Sequence, residues 1–165
     1  VGRGTPMGEL MRRYWHPVAA TGELKDRPTK AIRILGEDLV LYRDKSGTYG
    51  LIERFCPHRR VDLSYGIPEE HGLRCMYHGW TYHTNGDSDF VTQAEGYPEG
   101  CAPDPVANWM GRLAQVDSIC GFVFANMSAG GEGLRSYLGA NASVLEDLAA
   151  SAPDGEVETS SGGYD

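Results

Sequence analysis

Residues 54–83 read RFCPHRRVDLSYGIPEEHGLRCMYHGWTYH. The stretch holds two short pairs of metal donors, Cys56-Pro57-His58 and Cys75-Met76-Tyr77-His78, with sixteen residues between His58 and Cys75. Each pair mixes one sulfur with one nitrogen, so bringing the two segments together makes a site of two thiolates and two imidazoles. One zinc ion accepts such a set in a tetrahedral shell. The spacing weighs against it, because structural zinc sites usually pair Cys with Cys and His with His at chelating intervals. Here Cys56 and His58 flank a single proline. Neighbouring donors reach two different irons of a binuclear cluster more easily, with both thiolates on one iron and both imidazoles on the other.

That ligation is the one known for Rieske [2Fe-2S] centres. The motif C-x-H-x16-C-x2-H, with Arg59 after His58 and Tyr77-His78-Gly79-Trp80 closing the second segment, resembles the Rieske oxygenases. The resemblance implies a mainly β, Rieske-type iron-sulfur fold of small antiparallel sheets with two cluster-binding hairpin loops and short flanking helices. Cys56, His58, Cys75 and His78 would then be both the metal ligands and the cofactor-binding residues. Neutral imidazoles in place of two thiolates raise the potential into a range of about −150 to +300 mV. Each ligating imidazole keeps a second ring nitrogen directed outward, so His58 and His78 mark where electrons leave. High-potential respiratory Rieske proteins carry an extra Cys in each loop and a hydroxyl residue after the second His-Gly. This chain has Arg59, Arg60 and Trp80 in the corresponding places, which implies a potential nearer the low end.

A chain of 165 residues fits one domain with a real core. Hydrophobic content of 41% and charged content of 23% are ordinary for a soluble globular protein. No apolar run approaches the eighteen or so residues of a membrane span, and no signal-peptide pattern is visible. A cytoplasmic location is the expectation. The first residue is Val1, which leaves a fragment, a processed chain or a partial gene open. The net charge of −8 is divided unevenly: residues 1–60 carry 12 Lys and Arg against 7 Asp and Glu, while residues 61–165 carry 3 against 16. The acidic half excludes the basic stripe of a nucleic-acid binder. It either steers a basic electron-transfer partner or simply keeps the surface solvated.

Along the chain, Thr5 and Pro6 open a helix, with Met7, Leu10, Met11, Tyr14 and Trp15 on one face, and Pro17 ends it. That stripe is expected to pack in the core. Short strands follow at residues 31–35, 39–43 and 49–54, separated by Gly36-Glu37-Asp38 and Asp44-Lys45-Ser46-Gly47 turns. Residues 72–75 and 80–84 flank the second donor pair, and Asn85-Gly86 turns the chain back into 88–92. A Gly/Pro-rich loop at 96–105 precedes strands at 112–117 and 121–125. Ser143-x-x-Glu146 reads as a capping box. Residues 151–165, SAPDGEVETSSGGYD, have linker or disorder composition. The domain is therefore expected over 1–150, with its cluster-binding part at about 31–125. Of the remaining histidines, His16, His71 and His83 read as surface or structural. Cys101 in its loop and Cys120, buried in a strand, read as free thiols.

The resemblance extends from GTPMGELMRRYW at the start, similar to the phthalate and vanillate oxygenase branch, through CGFVFAN at 120–126 to LRSYLG at 134–139. It implies an electron relay. A ferredoxin or a flavin/iron-sulfur reductase supplies electrons, and the catalytic domain of the same or a neighbouring subunit receives them for aromatic-ring hydroxylation or demethylation. The mononuclear non-haem iron of that catalytic domain needs two His and a carboxylate. His78 and His83 have a matching interval, but Cys75 stands where the carboxylate belongs and His78 is claimed by the cluster. No catalytic residue is assigned, and the chain alone is expected only to transfer electrons. Tyr77 and Trp80 would shield the cluster from water, and Arg59 would either present charge to the donor or brace its loop. A free-standing Rieske ferredoxin is the alternative, and a zinc module a more distant one.

Overall fold

The computed structural model describes residues 1–96, 115–128 and 130–151. Thr5 caps α1 (Pro6–Met11), its hydroxyl accepting from the Gly8 amide, and Pro6 occupies the first turn where no amide is needed. The helix is shorter than the sequence suggests. Residues from Trp15 on form β1 (Trp15–Ala20), with Pro17 inside the strand. An edge strand tolerates proline, and β1 is an edge, with a register shift between Pro17 and Ala19.

A turn of helix α2 (Glu23–Asp26) leads into β2 (Thr29–Ile34), β3 (Glu37–Arg43) and β4 (Tyr49–Glu53), paired in that order. The β2–β3 turn is Leu35-Gly36, both at positive φ (48° and 83°), a two-residue reversal placed one residue earlier than its Gly-Glu-Asp sequence suggests. The Asp44 carboxylate organises the β3–β4 turn by accepting from the Ser46 hydroxyl and the Thr48 amide. A four-stranded sheet follows: β5 (Ile67–Glu69), β6 (Gly72–Arg74), β7 (Thr81–Tyr82) and β8 (Ser88–Phe90). After it come β9 (Gln115–Ile119) and β10 (Phe122–Asn126), with β10 between β9 and β1. The helices α3 (Leu134–Leu138) and α4 (Asn141–Ala150) close the described chain.

The middle sheet is covered on both faces. Along β3, Val40 and Tyr42 point into one cluster with Ile52, Leu73 and Tyr82, while Leu39 and Leu41 point into another with Leu51, Val123 and Ala125. This explains four consecutive buried residues in β3, since a two-sided strand loses its polar alternation. Gly50 opposes Tyr42, and a Cβ there would lie 2.4 Å from the tyrosine ring, so glycine is what lets that ring fill the layer. Among the described residues no helix is long and apolar enough to cross a membrane.

Several expectations need correction. Met7, Leu10 and Tyr14 are exposed, and of the predicted stripe only Trp15 is buried. The buried side of α1 carries Gly8 instead, and Arg12 just after it, paired with Glu37 at 2.5 Å. Ser143 lies within α4, bonding back to the Ala140 carbonyl, and Glu146 pairs with Arg135, so no capping box forms. Cys120 sits in the β9–β10 turn at φ 53°, beside Gly121 at φ 84°, and is half-buried, not a buried strand residue. Its thiol is free. Cys101, the 97–105 part of the Gly/Pro-rich loop, the start of the strand expected at 112 and the tail from 152 lie outside the described residues.

Candidate iron-sulfur site

Two loops enclose the site, and their backbones close in the same way. In the first, the Cys56 amide donates to the Val61 carbonyl and the Arg60 amide donates to the Cys56 carbonyl, at 2.9 and 2.8 Å. In the second, the Cys75 amide donates to the Trp80 carbonyl and the Gly79 amide to the Cys75 carbonyl, at 2.7 and 3.0 Å. The fifth residue of each loop turns through positive φ, Arg60 at 57° and Gly79 at 75°. The histidine is the third residue of the first loop and the fourth of the second.

This shared geometry places both sulfurs inward. Cys56 and Cys75 are each 2% exposed, in one apolar cluster with Leu63, Leu73, Trp80 and Tyr82. The imidazoles stand nearer the surface, half-buried, with their centroids 4.6 Å apart. The donors come as a buried sulfur pair and a more exposed nitrogen pair.

Electrostatics set the protonation states. Burial pushes the Cys56 thiol up, against the opposing pull of the Tyr82 hydrogen bond, so an isolated thiolate is disfavoured there and a cation is needed to hold it ionised. Burial, then His78 and Arg59, pull His58 below its ordinary value, which favours the neutral imidazole, with one ring nitrogen's lone pair open to a metal. The buried Nδ1 of His58 has no hydrogen-bond partner. Such a nitrogen costs free energy unless something occupies it. The donor set and this orphan nitrogen both fit a [2Fe-2S] cluster.

The residues around the donors have distinct tasks. Trp80 is buried and its indole lies parallel to His58, 4.6 Å away and within 6°. Tyr77 covers His78 at 3.8 Å but is itself 60% exposed, so it screens one imidazole face and not the whole site. Arg59 is exposed and only adds positive potential beside His58. The brace is Arg54, whose Nε and Nη2 reach one Asp62 oxygen at 2.9 and 2.5 Å while the other oxygen takes the Ser64 amide. Arg54 and Arg60 also lie on the Phe55 ring, at 5.5 and 5.1 Å.

Sequence reasoning missed three residues here. The Tyr82 hydroxyl lies 3.1 Å from Cys56 Sγ, and burial raises its pKa so far that the phenol keeps its proton to donate. Its signal was the alternation that places Tyr82 on the same inward face as Trp80. Thr92 donates to the His78 carbonyl at 2.6 Å, and Asp62 accepts from Arg54 and from the Ser64 amide beside the first loop. His71 and His83 stay away from the donors: His83 Nδ1 meets the His71 carbonyl and its Nε2 meets Asp89. His16 Nε2 bonds to the Met11 carbonyl.

Comparison with known proteins gives concordant matches. The family model for the Rieske [2Fe-2S] domain matches residues 14–100. Phenoxybenzoate dioxygenase subunit alpha of Ectopseudomonas oleovorans is 41% identical over 99% of this chain and 37% of its own length. The 5,5'-dehydrodivanillate O-demethylase oxygenase subunit of a Sphingobium species is 57% identical over 52% of this chain and 20% of its own. Among solved structures, NdmA of Pseudomonas putida CBB5 superposes with a TM-score of 0.62 at 27% identity, covering 73% of this chain and 36% of that one. The chain thus spans between a fifth and somewhat over a third of these relatives.

Proposed function

Because this chain belongs to the Rieske [2Fe-2S] domain family, we propose that it is the electron-relay domain of an oxygenase, with Cys56 and Cys75 ligating one iron of the cluster and His58 and His78 the other. The observation that carries this reading is the meeting of two buried thiols and two adjacent, half-buried imidazoles at the tips of two loops with one backbone pattern. When bound, the cluster supplies a one-electron couple in the Rieske range, about −150 to +300 mV.

The chain's own residues define how that couple is used. Leu63, Leu73 and Trp80 keep water from the sulfur side, where charge would otherwise be screened. The Tyr82 phenol offers a proton to Cys56 Sγ, an interaction that strengthens as negative charge on the sulfur grows. On the other side, the half-buried edges of His58 and His78 give the short approach that an acceptor needs. Trp80 fixes the His58 ring plane, and Thr92 fixes the backbone of His78.

The partners follow from the same reading: a ferredoxin or a flavin/iron-sulfur reductase as donor, and a catalytic domain of the same or a neighbouring subunit as acceptor. The domain occupies residues 1–150, in the cytoplasm. Alignment of nearly the whole chain with a dioxygenase alpha subunit supports the oxygenase form over a free-standing carrier. The names of two relatives, an O-demethylase of dehydrodivanillate and a phenoxybenzoate dioxygenase, support an aromatic acid or an aryl ether as the substrate class of the complete enzyme. Iron and acid-labile sulfide per polypeptide test the reading. Two irons with two sulfides in this chain are expected, and three irons with two sulfides in the gene product from its own host. Zinc without sulfide overturns the ligand assignment.

A further inference from the structure

The helix α1 is docked with its apolar side facing out. Its inner side carries Gly8, so close to the start of the chain that a Cβ would lie 2.1 Å from the Gly2 carbonyl oxygen. The same side leads to Arg12, buried and in ion-pair contact with Glu37. A close glycine contact and a buried charge pair therefore fix the rotation of the helix. Met7, Leu10 and Tyr14 are turned to the surface, 54%, 45% and 44% exposed. The Tyr14 ring meets Tyr137 edge-on at 6.5 Å, which carries the apolar surface across to α3. Burying such side chains is favourable, so an arrangement that leaves them together in water is unfavourable unless something covers them.

The position of these elements in the chain says what the cover is. Met7 and Leu10 on α1 and Tyr137 on α3 lie outside residues 14–100, the part shared with the Rieske domain family, and Tyr14 stands at its very edge. They lie within the 99% of the chain shared with a dioxygenase alpha subunit, of which that alignment takes up only 37%. A patch needed by the cluster fold itself would fall inside the family's common part. One belonging to the longer protein falls where this one does.

We propose that the Met7, Leu10, Tyr14 and Tyr137 face is the docking surface for the additional polypeptide of an oxygenase-type chain, joined to this domain in the same protein. The inference rests on the oxygenase reading above. The covering surface is apolar and supplies acceptors to the two tyrosine hydroxyls. It fixes the relay domain from the side of α1 and α3.

The test is methionine oxidation by hydrogen peroxide, read residue by residue by mass spectrometry, on this 165-residue chain and on the gene product from its own host. Iron and sulfide are measured on the same samples. Met127, 9% exposed, is the buried reference. The expected result is rapid Met7 oxidation in the 165-residue chain and a several-fold slowing in the gene product, toward the Met127 rate. Equal Met7 rates in the two overturn the proposal, as does a gene product no longer than this chain. Protection in the 165-residue chain that grows with its concentration assigns the face to a second copy and also overturns it. A product with its full iron and sulfide but unprotected Met7 leaves the relay reading standing and removes only the docking surface. Absence of iron and sulfide removes both.

Discussion

Residues 56–61 and 75–80 close with the same two hydrogen bonds, yet they are supported differently. The second loop is the tip of a true hairpin: β6 and β7 pair up to Arg74 and Thr81, and Gly79 makes the positive-φ turn without steric cost. The first rests on a single bridge, Phe55 to Asp62, and its turn is made by Arg60, a side chain in a conformation that costs about 1–2 kcal/mol. Side chains supply what the sheet does not. Asp62 takes two bonds from Arg54 and one from Ser64, and the guanidinium groups of Arg54 and Arg60 both contact the Phe55 ring. One geometry can thus be held by a ladder or by a clasp, and only the ladder is readable as a strand pattern.

Breaking the clasp should have the largest effect. Asp62→Asn is expected to lower stability by about 2–3 kcal/mol, as loss of charged hydrogen bonds in a partly buried site does, and to release iron faster on chelation. Thermal unfolding and a chelator time course measure both. Burial raises the Asp62 pKa, but the Arg54 and Ser64 bonds outweigh it and hold the carboxyl below its ordinary value. A depressed folded pKa contributes stability above the unfolded value and loses it as pH falls through the folded one. The gap between the wild type and Asp62→Asn should therefore be constant near neutrality and narrow below about pH 4. A gap independent of pH would show that the carboxylate's charge is not what holds the loop.

The turn residues should respond with opposite signs. Gly79→Ala forces a Cβ into positive φ, 3.0 Å from Thr92 Oγ1, and is expected to cost about 1–2 kcal/mol. Arg60→Gly relieves the same strain in the first loop and loses an exposed pair with Glu53 and the guanidinium's contact with the Phe55 ring. It should be neutral or stabilising by up to about 1 kcal/mol. Equal losses at both positions, measured by denaturant unfolding, would mean that the two turns are not equivalent. Smaller still is Thr92→Val, which keeps the side chain's shape and removes the bond to the His78 carbonyl, for a loss of about 1 kcal/mol.

What was legible in the sequence follows the same division. The convergence of Cys56, His58, Cys75 and His78 on one site, the strand runs and the Asp44 and Asn85-Gly86 turns come from local patterns, and local patterns are read from spacing. Rotation of α1 was not, because its stripe had the right period while Gly8 and Arg12 decided which side faced inward. Nor was β1, where Pro17 reads as a helix stop until the strand is known to be an edge. The Arg54–Asp62 clasp joins residues eight apart whose pairing appears only after Phe55 meets Asp62. Cys120 was misplaced because a non-glycine at positive φ leaves no mark in composition.

The finest comparison is between the two sulfurs. The buried phenol of Tyr82 reaches Cys56 Sγ from β7, a strand of the second loop's hairpin, so the two loops are joined by a bond across the site. A donor to a thiolate sulfur favours the more negative, reduced state, and its removal should lower the potential. A net hydrogen bond is worth about 1 kcal/mol, and a tenfold change in a one-electron equilibrium is about 59 mV. Tyr82→Phe should therefore shift the potential down by on the order of 40 mV. Because the variant keeps the ring in the buried layer, stability should change far less than with Asp62→Asn. Protein-film voltammetry reads the shift, and the temperature of unfolding reads the stability. A lower potential at nearly unchanged stability would assign Tyr82 to tuning of the Cys56 sulfur. Loss of stability without a shift would make the phenol another part of the clasp.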